Sequence, residues 1–358
     1  MKTKGKTPYE ELGILKLSSR IKLMLADSNM VIKNLIFRGT GAHAITEVSK
    51  NVENILIKNN VIEDIGGSFL NQKERYGNGI QFYSTNVKNL TITKNIIRNV
   101  YDVGFTIQGS EGSGKDVSVS RNVFVQNSQD SEIWEDGSAT GVYNYSFDNN
   151  VCVNQGRGWG YDARPDKYAA GHVLFWAYNK QPTKIYFHDN YVYNSRMLYY
   201  IEHSHATDEY FQKSDDISSN FNHYYMNNDT TCFRDQYKYK DKDNFISEYH
   251  KDNNSEFILL NETNETIINT AAKSYDYKEV RKFFVDEPDD DENDDNEYER
   301  NGSKFFIIFI VILIIIILLI GGFFLFRYIT RKKNDSNREY LDNKKQNDVS
   351  LGEKLYSD

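Results

Sequence analysis

The densest collection of reactive side chains lies in one stretch, Gln155–His172, which reads Gln-Gly-Arg-Gly-Trp-Gly-Tyr-Asp-Ala-Arg-Pro-Asp-Lys-Tyr-Ala-Ala-Gly-His. Asp162, Arg164, Asp166, Lys167 and His172 supply two carboxylates, a guanidinium, an amine and an imidazole. The glycines mark a loop, and loops held by a rigid scaffold are the usual carriers of function. Two reactions would use these groups differently. Hydrolysis of a glycosidic bond needs one carboxylic acid to protonate the leaving group and a second carboxylate as base or nucleophile. Asp162 or Asp166 would pair with Glu132 or Glu202 for that task. Elimination beside a uronate instead needs a base for the α-proton and a cation against the uronate carboxylate. Arg164, Lys167 or His172 would then be the base, and Ca²⁺ held by Asp162 and Asp166 the cation. A third reading needs no substrate: Asp162, Arg164 and Asp166 form a salt-bridge network that holds their own loop.

Any of these roles requires elements that fix the loop, and a recurring phrase supplies them. Asn89-Leu-Thr-Ile-Thr-Lys-Asn95-Ile-Ile-Arg-Asn-Val100 is echoed by 54–65 and 116–127, and more loosely by 145–154 and 185–194. A shorter copy is 31–37. Each copy alternates apolar and polar residues, passes an Asn, and turns apolar again. Alternation over this length is the pattern of a half-buried strand, and Val, Ile, Thr, Phe and Tyr suit a pleated surface. The Asn, at 34, 60, 95, 122, 150 and 190, is expected at a corner, where the left-handed backbone region is needed.

A third apolar piece follows each pair: Ala44-Ile45, Gly79–Phe82, Gly104–Ile107, Glu132–Trp134, Val173–Trp176 and Leu198–Ile201. Three strands per repeat describe one coil of a solenoid, whose inner face is buried only by stacking on its neighbours. Six coils at about 4.8 Å each would stand roughly 29 Å tall, with the asparagines forming an amide ladder. Alternation along the third strand points Gln81, Tyr83, Thr106, Gln108, Glu132, Trp134, Trp176 and Glu202 outward as a stripe of amides, aromatics and acids. That composition suits a sugar-binding surface, although any solenoid carries an outward stripe of mixed polarity. Glu132 and Glu202, two coils apart, would be separated by about 9.6 Å, near the spacing of inverting glycosidases.

The repeated phrase resembles the right-handed parallel β-helix, or pectin-lyase-like, superfamily over roughly residues 30–228. The resemblance implies an all-β solenoid of about six to seven coils that takes polysaccharide along one outer face, by lyase or hydrolase chemistry. The paired aspartates and Gly-His-Gly of polygalacturonase-like members are absent, as is the Trp-x-Asp-His of calcium-dependent pectate lyases. Arg164-Pro165 echoes the latter group's Arg-Pro element. A leucine-rich repeat is disfavoured by scarce Leu and a variable period. An antiparallel sandwich gives no reason for the recurrence.

Residues 1–29 contain no apolar run of signal-peptide length, so the chain is expected to begin partway into the coils, with Leu12–Ala26 the one stretch able to cap the solenoid's open end; the alternative expectation is a native start that lacks a cleaved signal. Periodicity fades after 228. Residues 229–304 are polar and end in the acidic run 286–299, so they are expected to be a largely disordered stalk. The run lacks the Gly and spaced oxygen ligands of an EF-hand. Phe305–Phe326 is uninterruptedly apolar, and at about 33 Å is long enough to cross a bilayer. Arg327, Arg331, Lys332 and Lys333 follow it, which places the tail 327–358 in the cytosol and the solenoid outside. Glycosylation sequons begin at Asn89, Asn144, Asn228, Asn253, Asn261, Asn264 and Asn301.

The net charge of −8 argues against nucleic acid as a partner. The two cysteines, Cys152 and Cys232, show no zinc-type spacing, and no metal site is expected from them. Cys152 sits in a repeat strand and reads as a small core residue. The expectation is therefore a single-pass surface protein whose ectodomain acts on or binds polysaccharide. The rival readings are a non-catalytic adhesin and an inert spacer.

Overall fold

The computed structural model describes residues 21–286, apart from 26, 70–74, 110, 136–138, 140, 166, 177–182, 202–215 and 236–238, together with Arg327. The chain divides into two compact units, Met1–Asp286 and Glu287–Asp358. Everything below concerns the first.

Its strands fall into three sheets, visited in turn by the chain, so each circuit lays one strand on each face of a parallel β-solenoid. Among the described residues, face one holds seven strands and face two holds eight. Face three holds nine, of which Tyr239–Lys240 is antiparallel to its neighbour. The six expected coils are present. The seventh, around 217–226, also forms, and Glu256–Leu259 adds a further strand to face two. At the other end Ile21–Leu25, within the stretch expected to cap the solenoid, is a strand of face three paired with His43–Glu47, the first among the described residues. Register keeps like residues in columns. Ile57, Ile92, Val119, Phe147 and Phe187 stack inside face one, and Ile62, Ile97, Phe124, Cys152, Val192 and Tyr224 inside face two. All are buried in one continuous core.

The amide ladder runs through the corner between faces one and two. Asn60, Asn95, Asn122, Asn150 and Asn190 each donate Nδ2–H to the Oδ1 of the next member, ending on Asn222, at 2.9–3.2 Å. Each Oδ1 from Asn95 to Asn222 also accepts the main-chain N–H of the Asn before it. Each Nδ2 reaches a carbonyl of an earlier strand as well. These side chains are 0–1 % exposed, so the bonds operate without competition from water.

Two details correct the sequence expectation. Asn34 is not a rung: it is exposed and accepts from Asn59, and Leu35 occupies the rung position, its N–H donating to Asn60. Nor does the ladder Asn take the left-handed backbone. The residue before it does: Asn34, Asn59, Lys94, Arg121, Asn149, Asp189 and Phe221 all have φ between 54° and 60°.

The segment expected to be a disordered stalk is ordered as far as Asp286. Helix α1 (Trp159–Ala163) belongs to the long loop already noted; three more follow the last coils. Helix α2 (Lys242–Tyr249) buries Phe245 and Tyr249 against Phe233 and Tyr199, extending the inner aromatic stack at that end. Helix α3 (Glu265–Lys273) is capped by Asn264, whose side chain accepts from Thr266 and Ile267. With α4 (Tyr277–Arg281) it lays Ile267, Ile268, Ala271, Tyr277 and Val280 over the outside of face two, on Ile96, Val123, Val151 and Tyr193. A parallel sheet needs both faces covered, and here the chain's own later segment covers one. Buried Arg98 ties the cover down, pairing with Glu63 at 2.5 Å and donating to the Ser274 carbonyl. Among the described residues no helix is long and apolar enough to cross a membrane; Phe305–Phe326, residues 1–20 and the acidic run beyond Asp286 lie outside them.

Asp252 ends the ladder. Its carboxyl accepts from Asn222, Ser219, Tyr224 and Ser255.

Asn122→Ala would strip the Asn95 N–H of its acceptor inside the core. It should lower unfolding free energy by about 2–5 kcal/mol. Asn86→Ala, on the exposed outer ladder to Asn51, should cost about 0.5 kcal/mol or less. Urea titration followed by circular dichroism separates the two. Burial raises the Asp252 carboxyl above the ordinary carboxylate range, so the folded state holds this proton to higher pH than the unfolded chain. The stabilisation is complete below about pH 3.9 and is lost as pH rises through the folded-state value. Asp252→Asn removes that dependence. The variant's stability relative to the parent should therefore increase from pH 4 to pH 7.

Candidate functional site

The outward stripe lies on face three, on the strands Ile80–Tyr83, Val103–Gly109, Gln129–Glu135 and Gly171–Trp176. Register resolves it into two rows. Gln81, Thr106, Glu132, Leu174 and Tyr200 align in one, and Tyr83, Gln108, Trp134 and Trp176 in the other. Glu132 is the polar hub: its Oε2 accepts from Thr106 Oγ1 at 3.0 Å and Gln108 Nε2 at 2.9 Å. Gln81 accepts from Asn78 at 2.6 Å. Tyr83 and Trp134 lie with ring centroids 6.2 Å apart, tilted by 38°. Tyr83 is 44 % exposed, whereas Thr106 is fully buried and Gln81 nearly so. The accessible part of the stripe is therefore the second row, backed by Glu132. Glu47 joins this face by accepting the Tyr83 N–H at 3.0 Å, and burial raises its carboxyl above the ordinary range. The Trp134 indole N–H is buried without a partner.

Farther along the face the stripe becomes apolar. Leu174 and Tyr200 pack with Met197 and with Ala169 of the long loop. Tyr200 stands two coils from Glu132 in that row; Glu202, the expected partner carboxylate, lies outside the described residues.

The described loop residues considered for catalysis, Asp162, Arg164 and His172, have different surroundings. Asp162 is exposed on α1. Arg164 is buried, donating from Nη1 to Asp102 at 2.8 Å and to Gln129 Oε1 at 3.1 Å, with its guanidinium 5.9 Å from the Tyr101 ring centre. It acts as the loop's anchor to the preceding coil. Gln129 completes that clasp by donating to the Ala169 carbonyl at 2.8 Å. Asp166 lies outside the described residues. His172 faces the interior: its Nδ1 is 2.8 Å from Asp130 Oδ2, and its ring meets Phe147 and Tyr199 edge-on. A proton on a chain bound to the outer surface is beyond its reach.

Sequence spacing missed what His172 does meet. Asp130, Cys152 and His172 come from three separate strands and place their ligand atoms within 4.8 Å of one another, all buried. Asp130 and His172 sit at the inner corner between faces two and three. Gly104 holds that corner one coil earlier, where a Cβ would come within 2.7 Å of the Phe124 ring. One coil on, Cys152 replaces Phe124 in the face-two column, and the smaller side chain leaves room for the polar pair. Burial raises the Asp130 carboxyl, and pushes the Cys152 thiol well above the ordinary thiol range. Both Cys152 and Cys232 are free thiols.

Arg164→Ala should loosen the loop without touching the stripe. The expected outcome is faster limited proteolysis within 157–170, with the far-ultraviolet spectrum of the solenoid unchanged.

No protein-family model, no curated protein and no solved structure matches this chain.

Proposed function

We propose that the chain is a surface-anchored, non-catalytic glycan-binding protein. Its ectodomain is a right-handed β-helix of the pectin-lyase-like kind. Residues 305–326 span the membrane, with the tail 327–358 in the cytosol. Polysaccharide lies along the outer row Tyr83, Gln108 and Trp134, parallel to the solenoid axis. The carrying observation is the pairing of an exposed aromatic surface with a fixed polar group: Tyr83 beside Trp134, and Glu132 held by Thr106 and Gln108. Aromatic faces stack on sugar rings, while amides and a carboxylate take hydroxyls. Support for the extracellular side comes from the sequons: Asn89, Asn144, Asn228, Asn253, Asn261 and Asn264 are all exposed. Binding is favoured over turnover because Arg164 and His172 are committed to internal partners.

The test is a glycan array probed with the detergent-solubilised chain. Trp134→Ala should weaken binding at least tenfold, while Asp162→Ala leaves it unchanged. New reducing ends or unsaturated products from bound glycans would overturn the non-catalytic reading. Silence across acidic, neutral and aminosugar glycans would overturn the glycan reading itself.

A further inference from the structure

The cluster at the inner corner has a chemistry that the outer stripe does not use. Asp130, Cys152 and His172 are 0–1 % exposed in a core otherwise dominated by aliphatic and aromatic side chains. Burying a carboxyl group in such surroundings is costly unless each of its oxygens is satisfied. Here Asp130 Oδ2 meets His172, but Asp130 Oδ1 has no hydrogen-bond partner. Gln155, which lies against the same carboxyl and is itself fully buried, also has an unpartnered oxygen, Oε1. Its amide cannot simply be reversed. Nε2 donates to the Phe124 carbonyl at 3.1 Å, and a flip would set two oxygens against each other there. The corner thus gathers a thiol sulfur, an imidazole and two buried oxygens without a regular hydrogen bond, with Cys152 and Gln155 both lying against the Asp130 carboxyl.

We infer that this corner is a structural site for one divalent d-block cation, Zn²⁺ by ligand chemistry. Its ligands are the Asp130 carboxylate, Cys152 Sγ, the His172 imidazole and Gln155 Oε1. Sulfur, nitrogen and oxygen donors in a four-fold set match the tetrahedral preference of Zn²⁺. Bonds of about 2.0–2.3 Å require ligand atoms about 3.3–3.8 Å apart. The observed cluster of Asp130, Cys152 and His172, within 4.8 Å, reaches that by side-chain rotation that opens the Asp130–His172 contact of 2.8 Å. The charge also balances. The thiol releases its proton on binding, and thiolate plus carboxylate neutralise the dication, leaving no net charge in the core. Because the corner is sealed, the ion is taken up as the coils close and does not exchange with chelator in the folded protein. It would clamp two successive coils, since Asp130 lies one coil before Cys152 and His172.

The test is metal analysis of the full chain in detergent, expressed in zinc-supplemented medium and dialysed against EDTA while folded. About one equivalent of zinc per chain is expected, falling below about 0.2 in Cys152→Ala and Asp130→Asn. Those variants could fail to fold, so the unchanged chain is also grown on cobalt. A thiolate-to-cobalt charge-transfer band with tetrahedral ligand-field bands is expected. A folded, monodisperse chain with less than about a tenth of an equivalent of any d-block metal and no cobalt bands would overturn the site. The corner would then be a neutral network of thiol, protonated acid and imidazole. Neither result depends on glycan binding.

Discussion

A primary amide can both donate and accept a hydrogen bond without carrying charge, and a column of them sets the geometry of this solenoid. Each ladder Asn accepts on one oxygen from the main-chain N–H and the side-chain N–H of the coil before, and donates onward from its own nitrogen. A slip of one residue would bury Arg121 or Asp189, now exposed, in place of an amide and leave the neighbouring N–H groups unpaired. Hence the ladder pins register where the chain turns from face one to face two. The other corners are free to vary in length, and the successive ladder members lie 35, 27, 28, 40 and 32 residues apart. The long loop 155–170 and the hairpin near Arg75–Tyr76 are insertions of this kind.

Pinning one corner also determines what the other faces can present. On face three, register brings Gln81, Thr106 and Glu132 into one row and Tyr83, Gln108 and Trp134 into the next, although they are far apart in sequence. The polar hub at Glu132 exists only because two successive coils are in phase. The same phase relation acts inward, setting Asp130 beside His172 and above Cys152. One stacking rule therefore sets both the outer row and the buried inner corner.

The repeat was legible because its signal is carried by many residues at once: alternating Val, Ile and Phe, and an Asn that returns in every coil. Single positions were less legible. Asn34 looks like a ladder member, but the shared feature at that position is a left-handed backbone, which Lys94, Arg121 and Phe221 adopt equally. The buried amide is one residue later, and alternation alone does not distinguish the two. Helix α3 escaped notice because the composition of 229–304 averages polar, while Ile267, Ile268 and Ala271 fall on one side of a short helix. His172 was expected in a reactive loop, and counting back from Phe175 would place its side chain outside. The register resumes at Val173 opposite Ser131, after a corner at which Asp130 and His172 both turn inward.

That inward turn bears on how such a scaffold divides its labour. An outward His172 would have completed an acid–base constellation with Asp162 and Arg164. Inward, it is screened from solvent by Phe147 and Tyr199, and Arg164 is spent on Asp102 and Gln129. The groups best able to move protons are thus those the fold uses to hold coils and loop together. What remains accessible in the described rows is the exposed Tyr83 with the half-buried Gln108 and Trp134, and Glu132 behind them. A solenoid presents such a row in a form that lengthens by adding coils.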